Sequence, residues 1–273
     1  MEVAGPRQRS NPLVAWLGRR GGALAIFVLL FVAWEVAVRV TGVKEYLLPP
    51  PSRVWTEFWK RHETVSGGAW VTTQEILAGY ALAVVVSVPL ALAVAYSRFM
   101  EQAVYPVIVF LQIIPKIAIA PLFIIWFGFG FAPKLLLVFL LSFFPIVVSS
   151  IAGFKSADRD VLDFARTTGA SGLRMFLKIS LPQALPHIFT GLKVGAALAA
   201  TAAVVAEFVA SDRGLGNLLL SYNGDLNTTM SFAAIFVLSA MGLSLYAAVE
   251  LVERYAIPWH VSRRRAAGDA PGL

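Results

Sequence analysis

The sequence predicts an all-α, polytopic membrane protein with six transmembrane helices, on three observations. Hydrophobic residues make up 58% of the 273 residues and charged residues only 14%, with a mean hydropathy of +0.73. A soluble domain needs more charged surface than that. Six mostly apolar stretches each approach or exceed the ~20 residues that cross a hydrocarbon core. Between the fourth and fifth runs a long basic, amphipathic segment, which a bilayer protein seldom keeps unless something docks there.

The stretches are 23–40, 76–96, 104–127, 135–154, 188–210 and 231–252. Each reads as a helix, because a single apolar segment satisfies its backbone polar groups internally only in that form. This divides the chain into an N-terminal tail (1–22), a transmembrane domain (23–254) containing a loop region (155–187), and a C-terminal tail (255–273). The first stretch follows Arg19 and Arg20 as a signal peptide would. Glu35 and Arg39 come next without a cleavage site, so a retained span is the preferred reading. Those two residues stand four apart and read as a snorkelling pair on one helix face.

After the first span, Leu47 to Ser52 (LLPPPS) is a proline break. The amphipathic piece 54–59 follows, with Trp55 and Trp59 suited to the headgroup zone on the outer surface. Pro89, Pro121 and Pro145 read as kinks within spans. Gly191, Gly195, Ala199 and Ala203 recur every four residues and give a face that another backbone can approach closely, with the dimer interface as one place for it.

The net charge is +7, but the basic residues lie in inter-span segments and at the ends rather than on one face. Membrane orientation accounts for them better than nucleic acid does. With the N-terminus inside, fourteen Lys and Arg fall in cytoplasmic segments and six (Lys44, Arg53, Lys60, Arg61, Lys134, Arg213) outside. Both termini and the long loop are then cytoplasmic. There is no cysteine, which excludes disulfides and thiolate chemistry. His62, His187 and His260 form no metal-spacing motif.

In the loop, Ser156 is positioned to cap a short helix, with Asp158 favourable in its first turn. Gly169 breaks that helix, and Ser171 can cap a second one running to Pro182. Leu173, Phe176, Leu177 and Leu181 line one face of the second helix. Two short helices meeting at a glycine make a protrusion that fits a groove on a partner. A loop resting on the membrane surface would explain the amphipathicity, but not the separation of Gly169 from Ile179-x-Leu181-Pro182.

That separation carries a resemblance. Asp163-x-Ala165, three residues, Gly169, nine residues, then Ile179-x-Leu181-Pro182 resembles the EAA loop of ATP-binding-cassette importer permeases. Ala170 and Ser171 follow the glycine within the same loop. The segments LLPPPSRV, IIPKIAIAPLFIIWFGFG (113–130) and VVAEFVASDRGLGNLL (204–219) resemble the nitrate, sulfonate and taurine group of those permeases. The similarity extends from about Leu47 to Val252. The usual Glu-Ala-Ala is Asp163-Phe164-Ala165 here, so the acid is one methylene shorter and Phe164 adds bulk.

The resemblance implies a type I (MetI-like) architecture in the cytoplasmic (inner) membrane. It also implies a homodimer of permeases, two cytoplasmic ATP-binding subunits and a periplasmic or lipid-anchored solute-binding protein. The implied solute is a small anion or organic molecule such as nitrate, a sulfonate or taurine, with a pyrimidine-type thiamine precursor as the alternative. No cofactor is expected in this chain, since ATP and magnesium belong to the partner. The only Lys followed by Ser or Thr is Lys155-Ser156, and Phe154 stands where a phosphate-binding loop needs glycine.

Polar residues at membrane depth are the candidates for the translocation path. Gln112 and Lys116 are four apart in the third span with Pro115 between them. Lys116 lies ~18 Å along a helix from Val104, near the midplane. It is placed either to attract an anionic solute or to pair with an acid or helix terminus for assembly. Glu207, near the outer end of the fifth span, belongs either to an outer gate or to an ion pair with Arg213. A secondary carrier, the main rival function, should show inverted repeats and a midplane carboxylate. The sequence shows neither. A membrane-embedded enzyme needs a nucleophile with its base, and no histidine lies in a span core.

Overall fold

The computed structural model describes residues 12–259, and among these the chain is helical with no strand. The two expected tails fall partly outside the described residues. Eleven helices are labelled in chain order: α1 Pro12–Thr41, α2 Pro51–Lys60, α3 His62–Tyr96, α4 Arg98–Ile113, α5 Ala120–Phe127, α6 Phe131–Phe154, α7 Arg159–Thr167, α8 Gly172–Met175, α9 Leu181–Ala210, α10 Leu215–Gly224 and α11 Thr228–Ala256. Among the described residues, four uninterrupted helical segments are long and apolar enough to cross a membrane: α3, α6, the run from α8 through α9, and α11. A fifth span is formed if α4 and α5 are taken together, and the first apolar stretch lies within α1.

The chain forms two compact units. The first contains the residues up to Arg61 together with Tyr222–Ala233; the second contains His62–Ser221 and the chain from Ala234 onward. In the first unit the proline break is as expected. Pro50 is extended and Pro51 occupies the opening turn of α2, where its missing N–H costs nothing. The Glu35–Arg39 pair is present at 2.5 Å, but it does more than snorkel. Glu35 accepts hydrogen bonds from both the backbone N–H and the hydroxyl of Ser52, so it caps the start of α2 from α1. On α2, Lys60 donates a 2.7 Å hydrogen bond to Glu57 and holds its carboxyl below the usual range.

In the second unit α9 packs chiefly on α6, and α6 on α3. The small-residue face of α9 makes this possible. A Cβ on Gly191 would stand 2.9 Å from the Pro145 carbonyl, and one on Gly195 2.9 Å from Ile146. The repeated small residues are thus the close-packing face expected of them, and within the chain Gly191 and Gly195 pack against α6. Ser142 and Tyr80 add hydrogen bonds to the Gly195 and Leu192 carbonyls across these contacts.

The third expected span is not one helix. Arg98–Ile113 and Lys116–Phe127 meet at an angle of 87°. Proline disfavours helical geometry in the residue before it, and Ile114 is extended at ψ 131°. Pro121 opens α5 instead of kinking a span, whereas Pro89 and Pro145 do lie inside α3 and α6.

Candidate functional site

The loop between α6 and α9 forms a protrusion. α7 is capped by Asp158, which accepts from the Asp160 N–H at 2.9 Å. Ser156 is not the cap: its hydroxyl donates to the Gly153 carbonyl and finishes α6. The chain turns at Gly169, whose φ of +79° lies in the left-handed region. Its N–H and that of Ala170 bond back to the carbonyls of Arg166 and Ala165, closing the C-terminus of α7.

Ser171 occupies the N-cap of α8 without a side-chain bond. The second helix does not stop at Pro182. It passes through a π-helical turn, Phe176–Ser180, directly into α9, with Pro182 in the opening turn of that helix. Displacement of α8 therefore acts on α9 with no flexible joint between them.

The predicted loop residues divide by exposure. Asp163, Phe164, Gly169 and Ser171 face outward, while Ala165, Ala170, Ile179, Leu181 and Pro182 are half-buried at the root. Phe164 is 70% exposed and Leu173 69%, with Val161 and Leu177 also outside. Asp163 and Arg166 form an exposed ion pair at 2.6 Å. The root is held by an aromatic cluster of Tyr96 (α3), Phe154 (α6) and Phe176, with ring centroids 5.7 to 6.5 Å apart. Lys155 bonds Glu101 of α4 at 2.5 Å.

The path candidates are not brought into one site. Because the helix breaks after Ile113, Gln112 and Lys116 do not share a helical face. Lys116 instead turns back and donates to the Gln112 carbonyl at 2.6 Å, at the C-terminus of α4 where a cation is favoured. Its Nζ also lies 4.6 Å from the Phe144 ring centroid. Of the two readings of Lys116, this is the helix-terminus one. Pro115 is the cause of the break.

Glu207 does not pair with Arg213, whose nearest acid is Asp212 at 3.8 Å. It is fully buried and accepts from Thr72 of α3 at 2.6 Å and from the Gly216 N–H. The Leu215 N–H donates to Thr72 in turn at 2.9 Å. Glu207 and Thr72 thus satisfy the start of α10 from two other helices. The glycines follow from this arrangement: a Cβ on Gly214 would fall 2.2 Å from the Glu207 carboxylate, and one on Gly216 2.8 Å from its Cβ.

One turn from Thr72 on the same helix, fully buried Glu75 pairs with Lys134 of α6 at 2.5 Å. Lys134 also donates to Ser211 at 3.0 Å. Sequence reasoning missed Glu75 and Thr72 and counted Lys134 as an exterior loop cation. Glu75 stands one residue before the expected second span and Lys134 one before the fourth. The available signal was an acid and a base flanking two spans that pack together.

The family model described as "Binding-protein-dependent transport system inner membrane component" matches residues 83–257. The chain is 35% identical to the riboflavin transport system permease protein of Chloroflexus aurantiacus over 94% of its own length and 96% of that protein's. It is 34% identical to the formylaminopyrimidine transport permease protein of Halalkalibacterium halodurans, covering 85% and 93% of the two chains. The taurine transport system permease protein of Escherichia coli is 33% identical, over 88% of each.

In fold it matches a chain of the MetNI methionine transporter in an inward-facing conformation. The TM-score is 0.61 at 15% identity, covering 72% of this chain and 97% of that one. With a family match over most of its length and relatives aligned nearly end to end, the chain belongs to the binding-protein-dependent inner-membrane components: it is a permease subunit of an ATP-binding-cassette importer.

Proposed function

We propose that the loop around Gly169 is the seat of a separate cytoplasmic ATPase. Two ATPase copies serve a homodimer of this permease, and a periplasmic or lipid-anchored binding protein delivers the solute. Asp163, Phe164, Gly169, Ala170 and Ser171 form the docking surface, and Ile179, Leu181 and Pro182 carry its movement into the fifth span. Both termini lie on the side of the loop.

The observation that carries this reading is the exposed apolar face of Phe164 and Leu173 on a protrusion built without a break onto α9. Apolar side chains in water on a rigid knob are what a partner's groove would bury.

The test is uptake into vesicles containing the purified permease, with and without the ATPase encoded beside it. Uptake should require both ATP and that subunit. Gly169→Val should abolish uptake while leaving membrane insertion intact. Uptake without the ATPase, or labelling that places residues 156–182 on the face away from ATP, refutes the proposal.

The solute is a small organic molecule or anion. The relatives' names span riboflavin, formylaminopyrimidine, taurine and aliphatic sulfonates. The two at 34–35% identity favour a heteroaromatic solute, and Lys116 bound to a helix terminus does not offer a free cation to an anion. Thermal-shift screening of the cognate binding protein against pyrimidines, flavins, sulfonates and nitrate decides between them. Glu207 and its partners remain the proposed part of the gate at the far end of α9, with Gln112, Pro115 and Lys116 at the bend of the third span.

A further inference from the structure

Beside the root of the loop lies a cavity of about 870 Å³ that neither the docking surface nor the span contacts account for. Leu92 and Ala95 at the end of α3, Phe154 at the end of α6, and Phe176 give it an apolar wall. Lys155, Arg159 and Arg166 give it a basic rim, against one lining acid, Glu101. Lys155 is engaged by Glu101 and Arg166 by Asp163. Among the described residues no acid pairs with Arg159, and its neighbour Asp158 is turned to cap α7. The lining therefore carries three cations against one acid beside an apolar surface, and Arg159, exposed between Asp158 and Asp160 in sequence, has no ion-pair partner within 4 Å among the described residues.

Its position narrows the occupant. α3 and α6 end here and α9 begins here, so the cavity stands where the apolar helices give way to the charged loop, the zone that suits a lipid headgroup. A soluble anion would occupy the rim and leave the aromatic wall wet. An amphiphile with an anionic head satisfies both surfaces at once.

We infer that this cavity binds one anionic phospholipid. Its phosphate lies on Arg159, and an acyl chain runs along Leu92, Ala95, Phe154 and Phe176. The lipid then acts as a wedge between the loop and the ends of α3 and α6. The inference does not rest on an ATPase partner.

The test uses the full-length permease alone, delipidated in detergent and offered phosphatidylglycerol or phosphatidylcholine, with retained lipid read by native mass spectrometry. Phosphatidylglycerol should be retained about tenfold more than phosphatidylcholine. Inorganic phosphate at the same concentration should not displace it. Arg159→Glu should remove the preference, and Ala95→Trp, which fills the apolar side without touching charge, should release the lipid.

Each variant is scored only if its thermal midpoint stays near that of the parent, and the comparison of the two lipids decides without any variant. Equal retention of the two lipids overturns the inference. So does displacement by phosphate, which would mark a small-anion site. Lipid retained in Ala95→Trp but lost in Arg159→Glu would mark surface attraction and overturn the cavity.

Discussion

The two ends of α3, α6 and α9 handle polar groups in opposite ways. At one end Glu75, Thr72, Lys134 and Glu207 are buried and bonded to one another or to the start of α10. At the other, Asp163, Arg166 and Phe164 stand in solvent around Gly169. Burying two acids and a lysine is tolerable only with partners in place, so the first end has little freedom to rearrange piecemeal. The loop end has few internal contacts to lose, and its apolar residues gain only when something covers them. A further buried pair, Lys193 of α9 with Glu253 of α11 at 2.7 Å, lies away from the first end, so buried charge is not confined to it. The polar contacts that α3 and α6 share with the start of α10 gather at that end, and the exposed apolar face of the loop lies at the other.

The sharpest way to break this contrast is to remove one charge from the buried end. Lys134→Ala leaves the Glu75 carboxylate without its counter-ion and should cost about 3–5 kcal/mol. This reads as a large fall in the thermal midpoint of the purified permease. Glu75→Leu combined with Lys134→Leu removes both charges and should recover most of that loss. A double variant as unstable as the single one would mean that the pair is not what holds this end together.

Two glycines with positive φ sharpen the comparison further. At Gly214, φ is +107° and an added Cβ meets the Glu207 carboxylate; at Gly169, φ is +79° and an added Cβ meets nothing within 4 Å. Gly214→Ala should therefore cost about 3 kcal/mol, combining backbone strain with overpacking. Gly169→Ala should cost about 1 kcal/mol from the backbone alone. Equal losses in parallel melts would show that the two turns are equally constrained and dissolve the distinction.

The open end was largely legible in the sequence because its signals are local. A glycine between two amphipathic runs, with acid, alanine and Ile-x-Leu-Pro at fixed separations, describes both the turn and the outward face. Its caps were less legible. Ser156 and Asp158 are both good cap residues two positions apart, and only the end of α6 decides that the serine closes one helix and the aspartate opens the next.

The closed end was not legible, because its bonds join residues 59 and 135 positions apart (75 to 134, 72 to 207) across helices whose rotation hydropathy does not report. The break of the third span was half legible. Pro115 announced a perturbation, but a proline inside an apolar run is compatible with either a kink or a right angle.

Phe164→Ala tests the loop end directly. The side chain is 70% exposed, so the isolated permease should change by no more than about 0.5 kcal/mol. Association with the ATPase should weaken by tenfold or more, about 1.4 kcal/mol, if the ring is a central anchor of the docking surface. Unchanged association measured on the reconstituted complex would move the docking surface off this face of α7.

The smallest effect belongs to the Asp163–Arg166 pair. Both side chains are about two-thirds exposed and three residues apart on one helix, so their 2.6 Å contact should contribute at most about 0.5 kcal/mol to stability. Asp163→Asn and Arg166→Gln should therefore leave the melt of the lone permease unchanged. They should separate in the complex. An acid that meets a cation on the ATPase loses that contact in Asp163→Asn, whereas Arg166→Gln releases Asp163 for it. Opposite shifts in ATPase affinity, each diminishing at high salt, would identify the aspartate as a docking group. Parallel shifts would reduce the pair to a brace within α7.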